Sequence, residues 1–197
     1  MAALQSVMTK AELRIAYKQK RSQLAAAQVS SFNAGILQEL FQFNWEDTGF
    51  LHTFLPATKL NEPDMWSFIT DIRIHYPTLH IVVSRSEPKD YSMQHFLLEE
   101  HIVLIENAWG IVEPIAGEPI AETALDVVLV PLLIADKDGN RVGYGKGFYD
   151  RFLAKCRPDC KKIGISFFDP VEKIDDVDSL DVPLDILVTP RSTIRFI

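Results

Sequence analysis

The sequence predicts an α/β protein with three layers, α/β/α, built on a largely parallel central sheet in a single domain spanning residues 1–197. Three observations carry that reading. Strand-like apolar segments alternate with segments whose apolar residues recur at helical spacing, the pattern that lays helices on both faces of a parallel sheet. The most hydrophobic stretch, Asp126 to Ala135, lacks the polar alternation of a half-solvated strand, so both of its faces must be covered. With 197 residues, 47% hydrophobic and 24% charged, the chain can bury one core and is too apolar for global disorder.

In order along the chain, Thr9-Lys10-Ala11-Glu12 has the form of a capping box, and Leu13, Ala16, Tyr17 and Leu24 predict a helix from about Lys10 to Ala27. Its other faces are cationic, with Lys10, Arg14, Lys18, Lys20 and Arg21. Phe32, Ile36, Leu37, Leu40 and Phe41 mark a second helix. Gly49 to Leu55, ending at Pro56, reads as a buried strand. Pro63 suits the first turn of a helix whose stripe is Met65, Trp66, Ile69 and Ile72, and Leu79 to Val83 is the next strand. Ile102 to Ile105 reads as a strand, and Trp109 to Pro114 as a turn into an edge. Asp126 to Ala135 is the central strand, interrupted at Pro131 because proline cannot donate to a ladder. Asp136 to Asn140 is a turn, and its Asp138-Gly139 pair admits an antiparallel member. Phe148 to Lys155 is a helix, and Lys161 to Phe168 and Ile186 to Thr189 are strands.

Composition excludes several function classes. Lys plus Arg is 20 against 27 for Asp plus Glu, a net charge of −7, which disfavours a nucleic-acid binder. The longest apolar run, Val127 to Ala135, falls far short of the roughly 20 residues that span a bilayer, so no membrane partner is expected. The first cations, Lys10 and Arg14, follow the apolar residues of the amino-terminal stretch, the reverse of a secretory signal, and a cytoplasmic location is expected. Cys156 and Cys160, placed i,i+4 on the last helix, read as packing residues, with no His near them to complete a zinc set. The five His residues, at 52, 75, 80, 95 and 101, show no metal-ligand spacing and read as structural.

The chemistry concentrates in Arg141-Val142-Gly143-Tyr144-Gly145-Lys146-Gly147-Phe148-Tyr149-Asp150-Arg151, which follows a buried strand and turn and leads into a helix. Alternating glycines let a backbone approach a ligand closely and point amides at phosphate oxygens, with Lys146 and Arg141 adding charge; the plainer reading is a flexible glycine turn. The spacing matches neither the P-loop nor the dinucleotide fingerprint. Asp150 either binds a cation beside phosphates or complements the helix dipole, and Asp181 either joins it or is a solvated loop carboxylate. Lys10 and Arg14 share one helix face, able to grip phosphates or simply solvated.

Taken in order, Lys10-x-x-Leu13-Arg14, Phe54-Leu55-Pro56, Gly110-Ile111-x-Glu113-Pro114, Val130-Pro131, the Asp138 to Arg151 segment and Asp181-Val182-Pro183-Leu184-Asp185 resemble the 5-formyltetrahydrofolate cyclo-ligase family, also called 5,10-methenyltetrahydrofolate synthetases. The resemblance covers nearly the whole chain. It implies cyclisation of 5-formyltetrahydrofolate to 5,10-methenyltetrahydrofolate using ATP and Mg2+, with release of ADP and phosphate, through phosphorylation of the formyl oxygen and ring closure by N10. Carried over by position, it implies ATP contacts from Lys10, Arg14, Arg141, Gly143, Gly145, Lys146, Gly147, Phe148 and Tyr149. Lys146, Arg141 and Tyr149 take the catalytic roles and Asp150 and Asp181 the magnesium, with Asp185 the other acidic residue of that last motif. Leu55, Glu62, Trp109 and Tyr149 take the folate, with Phe148 able to flank its ring. Two departures stand out: the Ala57 to Asp64 loop is longer than many relatives', and Phe148 replaces a common Tyr. A monomer acting on small molecules is expected. A scaffold that sequesters the folate without cyclising it is the second reading.

Overall fold

The computed structural model describes residues 8–107 and 110–196. Along the chain, α1 (Lys10–Ser22) and α2 (Ala26–Leu40) precede β1 (Phe50–His52), and α3 (Met65–His75) leads to β2 (His80–Glu87), which turns back into β3 (Ser92–Leu97). There follow β4 (Leu104–Glu106), β5 (Val112–Pro114), β6 (Val127–Pro131), β7 (Ile134–Ala135) and β8 (Arg141–Val142). The last elements are α4 (Phe148–Leu153), β9 (Lys161–Ile165), β10 (Ile186–Val188) and β11 (Thr193–Arg195). Seven strands form one sheet in the order β11-β10-β9-β6-β1-β2-β3. The five from β10 to β2 are parallel, and β3 and β11 close the edges antiparallel.

The three-layer expectation holds. Leu51, Ile81, Val83, Leu129 and Ile163 point to one face, where α2 and α3 cover them with Ile36, Leu40, Phe68, Ile69 and Ile72. Their neighbours Val82, Val128, Val130 and Leu187 point to the other, against Phe152 and Leu153 of α4. Alternation within strands that are apolar throughout is what burial on both faces demands. Helix α1 joins neither layer: Leu13 and Tyr17 pack on Leu133, Ile134 and Val142.

Several boundaries differ from the expectation. The first helix stops at Ser22, because Leu24 turns into the core and a second helix starts at Ala26. The run from Asp126 to Ala135 contains two strands. Pro131 ends β6; Leu132 then packs under α4, Leu133 packs against α1, and β7 pairs antiparallel with β8 outside the main sheet. The Asp138-Gly139 turn therefore builds a separate two-stranded ribbon. Helix α4 ends at Leu153, and Cys160 lies beyond Pro158 at the start of β9, so the cysteines do not share a helix. Both pack in the core under α4, as expected of packing residues.

The chain leaves β1 toward β2 on one side and leaves β6 toward β9 and β10 on the other. Connections at the carboxyl ends of β1 and β6 diverge at this switch point, which opens a crevice there.

Candidate active site

A cleft of about 650 Å³ occupies that crevice. Its walls come from Phe54 and Leu55 after β1, Ser84 and Ser86 of β2, Pro131 at the end of β6, the loop from β8 into α4, and the face of α1 that carries Lys10, Arg14 and Lys18. Burial of Leu13 and Tyr17 rotates that cationic face toward the loop.

The loop is launched by a rigid turn. Fully buried Asp136 accepts the Asp138 and Asn140 amides at 3.0 and 2.9 Å, the Asn140 side chain at 3.0 Å and the Ile174 amide at 3.1 Å. Beyond it, Gly145 and Gly147 take left-handed φ of 88° and 71°. A side chain at Gly145 would meet the Arg14 guanidinium at 3.0 Å, whereas one at Gly143 would meet nothing within 4 Å. The Arg14 Nε donates to the Gly143 carbonyl at 3.0 Å, which ties α1 to the loop.

Cations and carboxylates expected to serve a nucleotide are paired with each other. Arg141, with a side chain only 7% exposed, donates to Asp150 Oδ1 at 2.6 Å and to the Val182 carbonyl. Burial pulls its guanidinium down, and Asp150 and then Asp181 oppose the shift. Lys10 pairs with Asp181, whose Oδ2 also accepts the Asp178 amide at 2.6 Å. The Val182 amide donates to Asp150 at 3.3 Å, which joins the two acidic segments. Asp185 takes no part: it accepts the Lys162 amide at 2.7 Å beside the sheet and does not line the cleft. Lys146 is different. It lies in the cleft with its ammonium 5.9 Å from the Tyr91 ring and forms no ion pair among the described residues.

Toward β2 and β5 the lining becomes apolar, with Phe54, Leu55, Met93, Ile111 and Val112. Glu62 lines the cleft with both oxygens engaged, by the Ala57 amide at 2.8 Å and the Tyr144 hydroxyl at 2.5 Å; Arg21 in turn donates to that hydroxyl. Burial first, then the Glu62 charge, push the phenols of Tyr144 and Tyr149 far above their ordinary range, so both remain neutral donors. Phe148 lines the wall edge-on to Tyr91 at 5.6 Å. Trp109 lies outside the described residues.

Sequence reasoning missed Tyr144, which stands inside the glycine motif, and Glu113, which stands in a quoted motif without a role. Glu113 is buried, lines the cleft and accepts the Ser86 amide at 2.9 Å. A further cluster had no signal in spacing. Ser84 Oγ lies 2.6 Å from His52 Nε2 and 2.9 Å from His95 Nδ1, beneath Phe152. Burial holds both imidazoles neutral: His52 falls well below the usual range, His95 to about 4.

The donor set suits magnesium. That ion keeps several waters and binds through one or two carboxylates plus substrate phosphates, and Asp150 and Asp181 are two such groups on one cleft with the glycine loop. No cluster of three acidic, His or Cys ligands exists among the described residues, as an all-protein cage would need.

The sequence model of the 5-formyltetrahydrofolate cyclo-ligase family matches residues 6–190. A Mycoplasma pneumoniae protein named 5-formyltetrahydrofolate cyclo-ligase is 29% identical over 92% of this chain and 98% of its own length. A mouse protein of that name is 42% identical over 62 residues, 29% of this chain, and the matched stretch spans only 30% of the mouse protein. The solved structure of an Aquifex aeolicus 5,10-methenyltetrahydrofolate synthetase superposes with a TM-score of 0.80 at 24% identity, covering 95% of this chain and 93% of that one, a likeness of fold. With the match spanning 185 of 197 residues from α1 to the end of β10, the chain belongs to the 5-formyltetrahydrofolate cyclo-ligase family.

Proposed function

We propose that the protein closes 5-formyltetrahydrofolate to 5,10-methenyltetrahydrofolate, consuming ATP in the presence of magnesium and releasing ADP and phosphate. The observation that carries this is the convergence, on one cleft, of the Gly143–Gly147 loop, five cations from α1, β8 and the loop, and two carboxylates, beside an apolar wall suited to a flat heterocycle. In this reading the formyl oxygen attacks the γ-phosphorus and the bond to the bridging oxygen breaks, releasing ADP. The N10 nitrogen then attacks the activated carbon and loses its proton, and the carbon–oxygen bond breaks as phosphate departs.

Phosphoryl transfer of this kind asks for positioning and charge neutralisation rather than a covalent nucleophile. Lys10 and Arg14 hold the phosphate chain, Lys146 and Arg141 face the transferred group, and the neutral Tyr149 phenol orients the reacting atoms. Gly143, Gly145 and Gly147 let the backbone come close. Asp150 and Asp181 would hold magnesium, which when bound would supply positive charge beside the phosphate. Leu55 and Phe148 form walls for the folate, and Glu62 is a contact at its edge. The protein works on small molecules, as a monomer in the cytoplasm, without a nucleic-acid or membrane partner; among the described residues no helix is long and apolar enough to cross a membrane.

The test mixes purified protein with 5-formyltetrahydrofolate, ATP and magnesium and follows the near-ultraviolet absorbance of the methenyl product. Growth only in the complete mixture is expected. Folded protein that binds 5-formyltetrahydrofolate yet consumes no ATP would replace this reading with a sequestering one.

A further inference from the structure

His52 is fully buried and His95 nearly so, and each aims one ring nitrogen at Ser84 Oγ. The other nitrogen of each ring, His52 Nδ1 and His95 Nε2, is buried with no partner among the described residues. A neutral imidazole carries one N–H, so the position of two protons decides what the serine does. Were either proton on its outer nitrogen, a buried N–H would lack an acceptor, which folded proteins rarely tolerate. Only one arrangement leaves no N–H stranded: His52 protonated on Nε2, His95 on Nδ1, both donating to Ser84 Oγ. Both lone pairs of the hydroxyl are then filled, and its hydrogen must point away from the rings. Ser84 lines the cleft, so that hydrogen faces the ligand space.

From this geometry we infer that Ser84 is a fixed hydrogen-bond donor to a neutral acceptor, a carbonyl or ring nitrogen, on the folate substrate, with His52 and His95 as its positioning residues. The choice of folate over nucleotide rests on the function proposed above and on the surroundings of Ser84. Two residues along the same strand, the Ser86 amide is held by the Glu113 carboxylate, a neighbour that repels phosphate. Met93, Phe54 and Leu55 complete an apolar wall, and the cations that line the cleft come from α1 and the β8–α4 region.

Two measurements test the inference. In protein labelled with 15N and 13C at histidine, the ring correlations of the ligand-free enzyme should report His52 as the Nε2–H form and His95 as the Nδ1–H form at neutral pH. A proton on either outer nitrogen, or a charged ring, overturns the donor assignment whatever the substrate is. Calorimetry then compares wild type, Ser84→Ala and Ser84→Thr. Ser84→Ala should weaken 5-formyltetrahydrofolate binding by about tenfold, the loss of one hydrogen bond, with ATP affinity unchanged and the folate affinity recovered in Ser84→Thr. A loss confined to ATP, or no loss at all, overturns the acceptor. Wild-type protein that binds ATP but no 5-formyltetrahydrofolate would overturn the proposed function and the folate acceptor together, while the tautomers still decide which way the hydroxyl points.

Discussion

Lys146 is a cation held in reserve. Arg141 and Lys10 already have carboxylates, whereas the Lys146 ammonium meets an aromatic face and the open cleft. Lys146→Ala should therefore lower turnover by about 100-fold or more, in the range seen when one transition-state charge partner is removed, and leave the urea midpoint of unfolding unchanged because no ion pair is lost. Asp150→Asn should do both kinds of damage. It removes a proposed metal ligand, and it leaves the Arg141 guanidinium, with its 7% exposure, only neutral acceptors where it had a carboxylate. An activity loss together with a stability loss of about 1–3 kcal/mol, read from denaturant curves, is expected. Lys146 and Asp150 were legible in sequence because they sit within a few residues of the glycines. Ser84 was not. Its partners lie 32 and 11 residues away on separate strands, and only the register of β1, β2 and β3 brings them together.

Among the elements, the β8–α4 loop separates two uses of glycine. Gly145→Ala forces a side chain into left-handed backbone against Arg14, and should lower stability by about 1–2 kcal/mol in a thermal melt. Gly143→Ala has no steric obstacle and an ordinary φ, so it should fold as well as wild type and lose affinity for ATP alone, because its methyl stands where the nucleotide would lie. The sequence shows three alternating glycines as equivalents; in the fold Gly145 lies against Arg14 of α1, Gly147 caps α4 beside Arg151, and Gly143 faces open space. Strand legibility follows the same logic. The parallel centre announces itself by continuous apolar residues, whereas edge strand β3, reading Ser92-Met93-Gln94-His95, alternates weakly and was not predicted. The break after Pro131 was visible only as an interruption, since Leu132 and Leu133 within it are as buried as the strands on either side.

For the molecule as a whole, the two neutral imidazoles tie stability to pH. An unfolded histidine takes up a proton near 6.5, but His95 in the fold resists until about 4, because burial penalises the charge. Between those values the unfolded chain binds more protons, so stability is full above about 6.5 and falls as the pH drops. His95 alone should lose about 3 kcal/mol across this window, and His52 adds in the same direction. Asp126 acts at lower pH. Burial raises it, but the Phe50 and Gly49 amides and Arg157 hold it below 3.8, so its contribution persists until still more acidic conditions. Urea midpoints that stay flat down to the carboxylate range would show that the rings are charged in the fold.

The Lys10–Asp181 pair joins residues 171 apart in the chain, and Arg14 and Arg21 fasten the same helix to the loop at residues 143 and 144. During synthesis α1 emerges from the ribosome long before its partners, with its buried stripe uncovered and its cations facing solvent. In the proposed function, competence to hold a nucleotide therefore arrives late, once Asp181 has been made. If the proposed function holds, a bound nucleotide should slow amide hydrogen exchange across residues 10–22 as well as in the glycine loop, because releasing α1 would withdraw Lys10 and Arg14 from its phosphates.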